Sequence, residues 1–140
     1  MTYIDRTLSR ELRLALAEYP VVTVLGPRQS GKTTFVRNEC PGFSYANLEE
    51  PEWRDRAIND PKAFFSALPL PLIIDEAQRV PELLSYIQVM VDAERLNGRI
   101  ILTGSHQLRL SQAISQSLAG RTTILRSEEH TSELQSPNTI

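Results

Sequence analysis

The chain has 140 residues, 41% of them apolar and 23% charged, and a formal charge of −2, which are the proportions of one ordinary globular domain. No basic stripe makes an electrostatic case for nucleic acid, and no apolar run reaches the roughly 18–20 residues that cross a bilayer. Cys40 is alone, which excludes an intramolecular disulfide and suits a reducing compartment. It reads as a small filler beside Pro41. Residues 1–8 alternate charge and apolarity and lack the apolar centre of a signal peptide, so a soluble cytoplasmic protein is expected.

The first element is a helix through Leu12, Leu14, Ala15, Leu16 and Glu18, with Thr7 or Ser9 as its cap and Pro20 beyond its end. Val21-Val22-Thr23-Val24-Leu25 is short, β-branched and apolar almost throughout. That pattern predicts a strand buried on both faces of a parallel sheet. Gly26-Pro27 breaks it, and residues 32–38 read as a helix. A second strand is predicted over 43–48 and helical turns over 52–58. Asp60-Pro61 then gives an N-cap followed by proline at the first helical position, opening a helix over 62–68.

Leu72-Ile73-Ile74-Asp75 is a third buried strand, and it ends on an acid. Pro81 opens an amphipathic helix carrying Leu83, Leu84, Ile87, Met90 and Val91 at helical spacing, with Gly98 as its stop. A fourth strand over 99–103 leads into Gly104-Ser105, and a helix over 110–119 closes at Gly120. Thr122-Thr123-Ile124-Leu125 reads as the start of a fifth strand. This alternation argues for an α/β sheet with helices on both faces.

Residues 26–33, Gly-Pro-Arg-Gln-Ser-Gly-Lys-Thr, satisfy G-x-x-x-x-G-K-[ST] at every fixed position, between an apolar strand and a helix. A triphosphate needs many donors close together, so glycines at both ends let the backbone of Gly26, Pro27, Arg28, Gln29, Ser30 and Gly31 curl around it with its N–H groups, which Pro27 lacks, turned inward. The following helix turns its positive end to the same anion. Lys32 is expected at the β- and γ-oxygens of ATP, and Thr33 as a magnesium ligand. Thr34 adds a second hydroxyl, as a lesser binding candidate or a helix-start residue. In a parallel sheet Asp75 ends its strand on the same edge and is the second Mg²⁺ ligand. Glu76 beside it is placed to orient or deprotonate an attacking water.

Ser105, with Thr103 behind it, is the candidate hydroxyl for the γ-phosphate or the water, against a turn role. His106 reads as a loop histidine. Arg28 stays open between phosphate, a neighbouring subunit and solvent, and Arg121 is the candidate for a finger acting on a neighbour's nucleotide in a homo-oligomer. Glu49, Glu50 and Glu52 read as a solvated face.

The tail differs from the rest. Residues 126–136, Arg-Ser-Glu-Glu-His-Thr-Ser-Glu-Leu-Gln-Ser, are polar, follow neither apolar period, and resemble the translation of a common short-read sequencing adapter. The expectation is therefore a domain over 1–125, cut before or within its fifth strand, and a non-native tail over 126–140. Without the tail the formal charge is zero.

Four blocks together resemble a prokaryotic AAA-type ATPase family: Gly-Pro-Arg-Gln-Ser-Gly-Lys-Thr-Thr from Gly26, Ile-Ile-Asp-Glu-Ala-Gln-Arg-Val-Pro from Ile73, Leu102-Thr103-Gly104-Ser105, and Ser117-Leu118-Ala119-Gly120-Arg121. Tyr45-Ala46-Asn47-Leu48 with its acidic follow-on belongs to the same resemblance. It implies a doubly wound sheet, ATP hydrolysis and roles for Gly31, Lys32, Thr33, Asp75, Glu76 and Ser105. It also implies a continuation into a winged-helix segment and a nuclease-like domain. The functional expectation is an ATPase module whose turnover drives a conformational or assembly change. The alternatives are a nucleotide-dependent switch or DNA-associated regulator with little turnover, an inert fragment, and a small-molecule kinase, which Glu76 beside Asp75 disfavours.

Overall fold

The computed structural model describes residues 3–27, 31–105 and 108–126. Five short runs form strands: β1 (Val21–Leu25), β2 (Ser44–Asn47), β3 (Leu72–Asp75), β4 (Ile100–Gly104) and β5 (Thr122–Arg126). They make one sheet in the order β2-β3-β4-β1-β5, and every neighbouring pair is parallel. Each residue of β1, β3 and β4 is buried, which is why these runs are apolar without alternation.

Helices cover both faces: α1 (Tyr3–Glu18), α2 (Lys32–Glu39), α3 (Pro51–Asn59), α4 (Pro61–Ser66), α5 (Leu83–Glu94) and α6 (Leu108–Ser117). Strand parity sorts the core into two layers. Val21, Leu25, Leu72, Ile74, Ile100 and Leu102 face α3 to α6. Val22, Val24, Ile73 and Ile101 face α1 and α2, against Leu12, Ala15, Val36 and Cys40. Burial, and then the charge of Glu39, push the Cys40 thiol up to about 11, in keeping with an apolar filler. Among the described residues no helix is long and apolar enough to cross a membrane.

Several boundaries differ by a residue or two from the sequence-based expectation, and three of the differences have a physical reason in the structure. α1 already includes Tyr3, so neither Thr7 nor Ser9 caps it. Ser9 instead lies inside the helix, donates to Glu39 Oε1 at 2.7 Å and accepts from Arg13 at 3.0 Å, which ties α1 to α2. α5 ends at Arg95, in the left-handed conformation with φ 57°. Gly98 serves a close approach instead, because a Cβ there would lie 3.0 Å from the Leu16 carbonyl oxygen. The fifth strand, expected to be cut, pairs with all of β1 from Val21↔Thr122 to Leu25↔Arg126. Ile124 packs on one layer and Leu125 on the other. Arg126 thus lies one residue past the boundary the tail suggested; residues 127–140 lie outside the described part. The Asp60 cap forms as expected, its Oδ1 accepting from the Ala63 N–H at 3.1 Å.

Leu12 is fully buried between α1 and the sheet, whereas Leu14, two residues on, is 58% exposed. Leu12→Ala is expected to lower unfolding free energy by about 2–5 kcal/mol, and Leu14→Ala by no more than about 0.5 kcal/mol. Urea denaturation of the two variants checks this, and equal losses would place α1 wrongly.

Candidate functional site

The register brings the carboxyl ends of the strands to one level, with Leu25 opposite Gly104 and Asn47 opposite Asp75. The Gly26 N–H donates to the Gly104 carbonyl at 3.0 Å, carrying the ladder one residue beyond β1. The loops that follow β1, β3 and β4 therefore leave from a shared edge, where open parallel sheets bind ligands.

Gly31 takes φ 86°, and a Cβ there would meet nothing within 4 Å. Backbone angle, not space, requires glycine at this position. It lets α2 begin at Lys32 with its N-terminal, partly positive end towards the edge. Lys32 is buried; its Nζ donates to the Pro27 carbonyl at 3.3 Å and lies 4.0 Å from Glu76 Oε2. Arg28, Gln29, Ser30 and His106 lie outside the described residues. Thr34 is exposed and lines an open cavity of about 440 Å³ with Arg37, Cys40 and Phe43.

Asp75 shares sheet parity with Ile73 and so points to the α2 face. It is 4% exposed, and a buried carboxylate needs donors. Three hydroxyls supply them: Thr33 Oγ1 to Oδ2 at 2.9 Å, Tyr45 to Oδ2 at 2.6 Å, and Thr103 Oγ1 to Oδ1. They come from α2, β2 and β4. The Arg37 guanidinium lies 4.0 Å from the centre of the Tyr45 ring, a cation–π distance. Burial first, and donation to Asp75 second, hold the Tyr45 phenol above its ordinary range.

Glu76 leaves the strand in the left-handed region, with φ 58° and ψ 52°. Such a backbone costs of the order of 1–3 kcal/mol in a residue other than glycine and clusters at functional sites. It lifts Glu76 out of the strand's alternation of faces and brings its Oε2 to 4.0 Å from Lys32 Nζ. The Glu76 N–H donates to Thr103 Oγ1 at 3.3 Å, and Gln78 Nε2 donates to Glu76 Oε1 at 2.7 Å. Gln78 sits in a 3₁₀ turn, Ala77–Arg79, directly over Gly104. Ser105 Oγ and Gln78 Oε1 are buried and have no hydrogen-bond partner among the described residues.

Thr33, Asp75, Lys32, Glu76 and Ser105 are thus gathered at one edge. Thr103 corrects the sequence-based expectation: its hydroxyl is committed to Asp75 and the Glu76 backbone, because parity turns it to the α2 face. Arg121 lies at the opposite edge, where its carbonyl accepts from the Val21 N–H at 3.2 Å. Its guanidinium forks onto Asp92 at 2.7 and 2.9 Å and donates to the Ala119 carbonyl at 3.0 Å. That fork holds the Asp92 carboxyl below its usual range.

Two participants, Tyr45 and Gln78, fall within blocks that carry the family resemblance but had no role assigned to them from sequence. Tyr45 could have been found from the parity of β2 against β3, and Gln78 from its position two residues after Glu76. The adjacent hydroxyl of Thr33 and carboxylate of Asp75 are hard oxygen donors. Among the described residues no group of three or more His, Cys, Asp or Glu side chains could hold a metal. One carboxylate with one hydroxyl suits a cation that keeps waters and phosphate oxygens, as magnesium does.

A family model described as an AAA domain matches residues 18–128. An uncharacterized protein of Mycobacterium tuberculosis and one of Mycobacterium bovis are each 39% identical to the chain over 119 residues. That stretch is 83% of this chain and 26% of each relative, so the chain spans about a quarter of the length of these curated relatives.

The Tyr45 bond to Asp75 gives a pH signature. A phenol raised above its ordinary value of 10.0 in the folded chain stabilises the fold fully below that value, and the contribution is lost as pH rises above it. Of the four tyrosines, Tyr45 is expected not to ionise in the native protein near pH 11. Ultraviolet titration of the parent and Tyr45→Phe checks this: the native curves should overlay, and the unfolded curves should differ by one phenol.

Proposed function

The chain belongs to the AAA domain family, and on that premise we propose that its carboxyl edge binds ATP with magnesium and hydrolyses the terminal phosphoanhydride. The observation that carries the reading is the meeting of Thr33 Oγ1 and Asp75 Oδ2 at 2.9 Å across 42 residues of sequence, with Lys32 and Glu76 paired beside them at 4.0 Å.

In this mechanism the backbone around Gly26 and Gly31 and the N-terminal end of α2 supply donors to the phosphates. Lys32 exchanges the Pro27 carbonyl for the β- and γ-oxygens. Thr33 and Asp75 would hold the magnesium ion, which when bound neutralises charge on the phosphate oxygens. Asp75 is kept oriented by the Tyr45 and Thr103 hydroxyls, and Thr33 would turn from it to the cation. Glu76 accepts the proton of the water that attacks the γ-phosphorus; the new P–O bond forms as the bond to the β-phosphate oxygen breaks, releasing ADP and phosphate. Ser105 offers an unused hydroxyl to the γ-phosphate or to the water. Turnover in the longer protein would drive a conformational or assembly change. An ATP consumer with one buried, unpaired thiol fits the cytoplasm.

Lys32→Ala is expected to abolish binding, because it removes the buried cation aimed at the phosphates. Titration with a fluorescent ATP analogue checks this, and parent-like affinity would remove the phosphate assignment.

Glu76→Gln is expected to keep ATP bound while lowering steady-state hydrolysis by about 10²–10⁴-fold, the usual cost of a positioned base. Phosphate release measured on the full chain decides it, and an unchanged rate would take Glu76 out of the mechanism.

A further inference from the structure

The Glu76 carboxylate has two polar side-chain contacts among the described residues. One is Lys32 at 4.0 Å, which the proposed mechanism releases to the phosphates. The other is Gln78 Nε2 at 2.7 Å, which nothing in that mechanism calls away. When nucleotide is bound, Gln78 is therefore the group that keeps the base from rotating. A left-handed backbone at Glu76 aims the side chain only as far as Cβ. Its remaining torsions need a partner.

The surroundings of Gln78 are shaped for its carboxamide. A Cβ on Gly104 would lie 2.7 Å from Gln78 Oε1 and 2.6 Å from Leu110 Cδ2, so any side chain at the end of β4 would displace the Gln78 carboxamide and the Leu110 methyl from their present places. Gly104 has no positive φ to explain it otherwise. The 3₁₀ turn holding Gln78 is closed by the Arg79 N–H on the Glu76 carbonyl at 3.1 Å and the Val80 N–H on the Ala77 carbonyl at 3.2 Å. Gln78 Oε1 and Ser105 Oγ, beside Gly104, are buried and have no hydrogen-bond partner among the described residues. Buried polar atoms without partners are rare and call for a role.

We propose that Gln78 is the positioning residue for Glu76, fixing the carboxylate through Nε2, and that Gly104 is glycine to admit it. The inference rests on the hydrolase reading. It moves no covalent bond of its own; the proton goes to Glu76 as before.

The test is a double-mutant cycle in the full chain with Gln78→Ala, Gly104→Ala and the double variant, following kcat, KM, nucleotide affinity and the Gln78 side-chain amide resonances in a ¹⁵N spectrum. Gln78→Ala is expected to lower kcat by between a few-fold and about a hundredfold, the range of coupling within one hydrogen-bond network, with KM and affinity nearly unchanged. Gly104→Ala should displace the Gln78 amide resonances and lower kcat similarly, because its methyl evicts the carboxamide while leaving Glu76 and Gln78 chemically intact. The double variant should be no slower than Gln78→Ala alone. Turnover by Gln78→Ala at the parent rate, additive losses in the double variant, or unmoved amide resonances in Gly104→Ala would each overturn the proposal and leave the hydrolase reading standing. A folded, nucleotide-binding parent with no turnover would overturn both. Affinity retained by every variant shows that lost turnover is not lost folding.

Discussion

A carboxylate buried at the end of a central strand needs hydrogen-bond donors that water no longer provides. Asp75 is that carboxylate, and its donors arrive from three different elements: Thr33 at the start of α2, Tyr45 on β2 and Thr103 on β4. For all three to converge, β2 and β4 must flank β3 in the observed register, and α2 must lie on the face that residues 73 and 75 share. The strand order is thus coupled to the chemistry of one side chain. Slip β3 by one residue and Asp75 would turn into the layer formed by Leu72, Ile74 and Phe64, where only apolar atoms wait.

Two adjacent acids can hold different roles only if the backbone separates them. Extended geometry alone would send Glu76 into the opposite layer, beneath the sheet. The left-handed turn at Glu76 lifts it out of the alternation and brings it to Lys32, while the N–H at the same residue is held by Thr103. Thr103 therefore serves both acids, fixing the side chain of one and the main chain of the other. The local strain is sustained because pairing on either side of it over-determines the geometry.

Much of this was legible in the order of residues. β1 and β3 are where short apolar runs put them, and Asp60-Pro61 starts a helix because a cap and a fixed φ act locally. The gathering of Gly26, Gly31, Lys32, Thr33, Asp75 and Glu76 at one edge follows from parallel pairing, which buried strands imply. What was not legible depends on partners distant in sequence. Ser9 has the side chain of a cap, yet Glu39 across the helix interface outcompetes that use. Gly98 has the look of a helix stop, yet Arg95 ends α5 and Gly98 yields room to the Leu16 carbonyl. Thr103 and Tyr45 carry no signal as donors until the strand order is known. The extent of β5 was hidden because Arg126 is polar, and a backbone ladder does not depend on which side chain it carries.

The same reasoning separates the site's fixed parts from those that must move. Tyr45 is stiffened by burial and by Arg37 over its ring, and Thr103 is held on the central strand, so Asp75 keeps its aim whatever occupies the edge. Lys32 and Thr33 are different, since each is engaged by a group of this chain, Pro27 or Asp75, that a phosphate or a cation would replace. On the proposed reading Lys32 and Thr33 are thus satisfied before a ligand arrives, and binding would exchange their partners instead of ordering free ends. Such exchange avoids most of the rotamer entropy that immobilising a lysine would cost. It also links the acids to the ligand: once Lys32 leaves Glu76, the position of that carboxylate is decided by the 3₁₀ turn behind it.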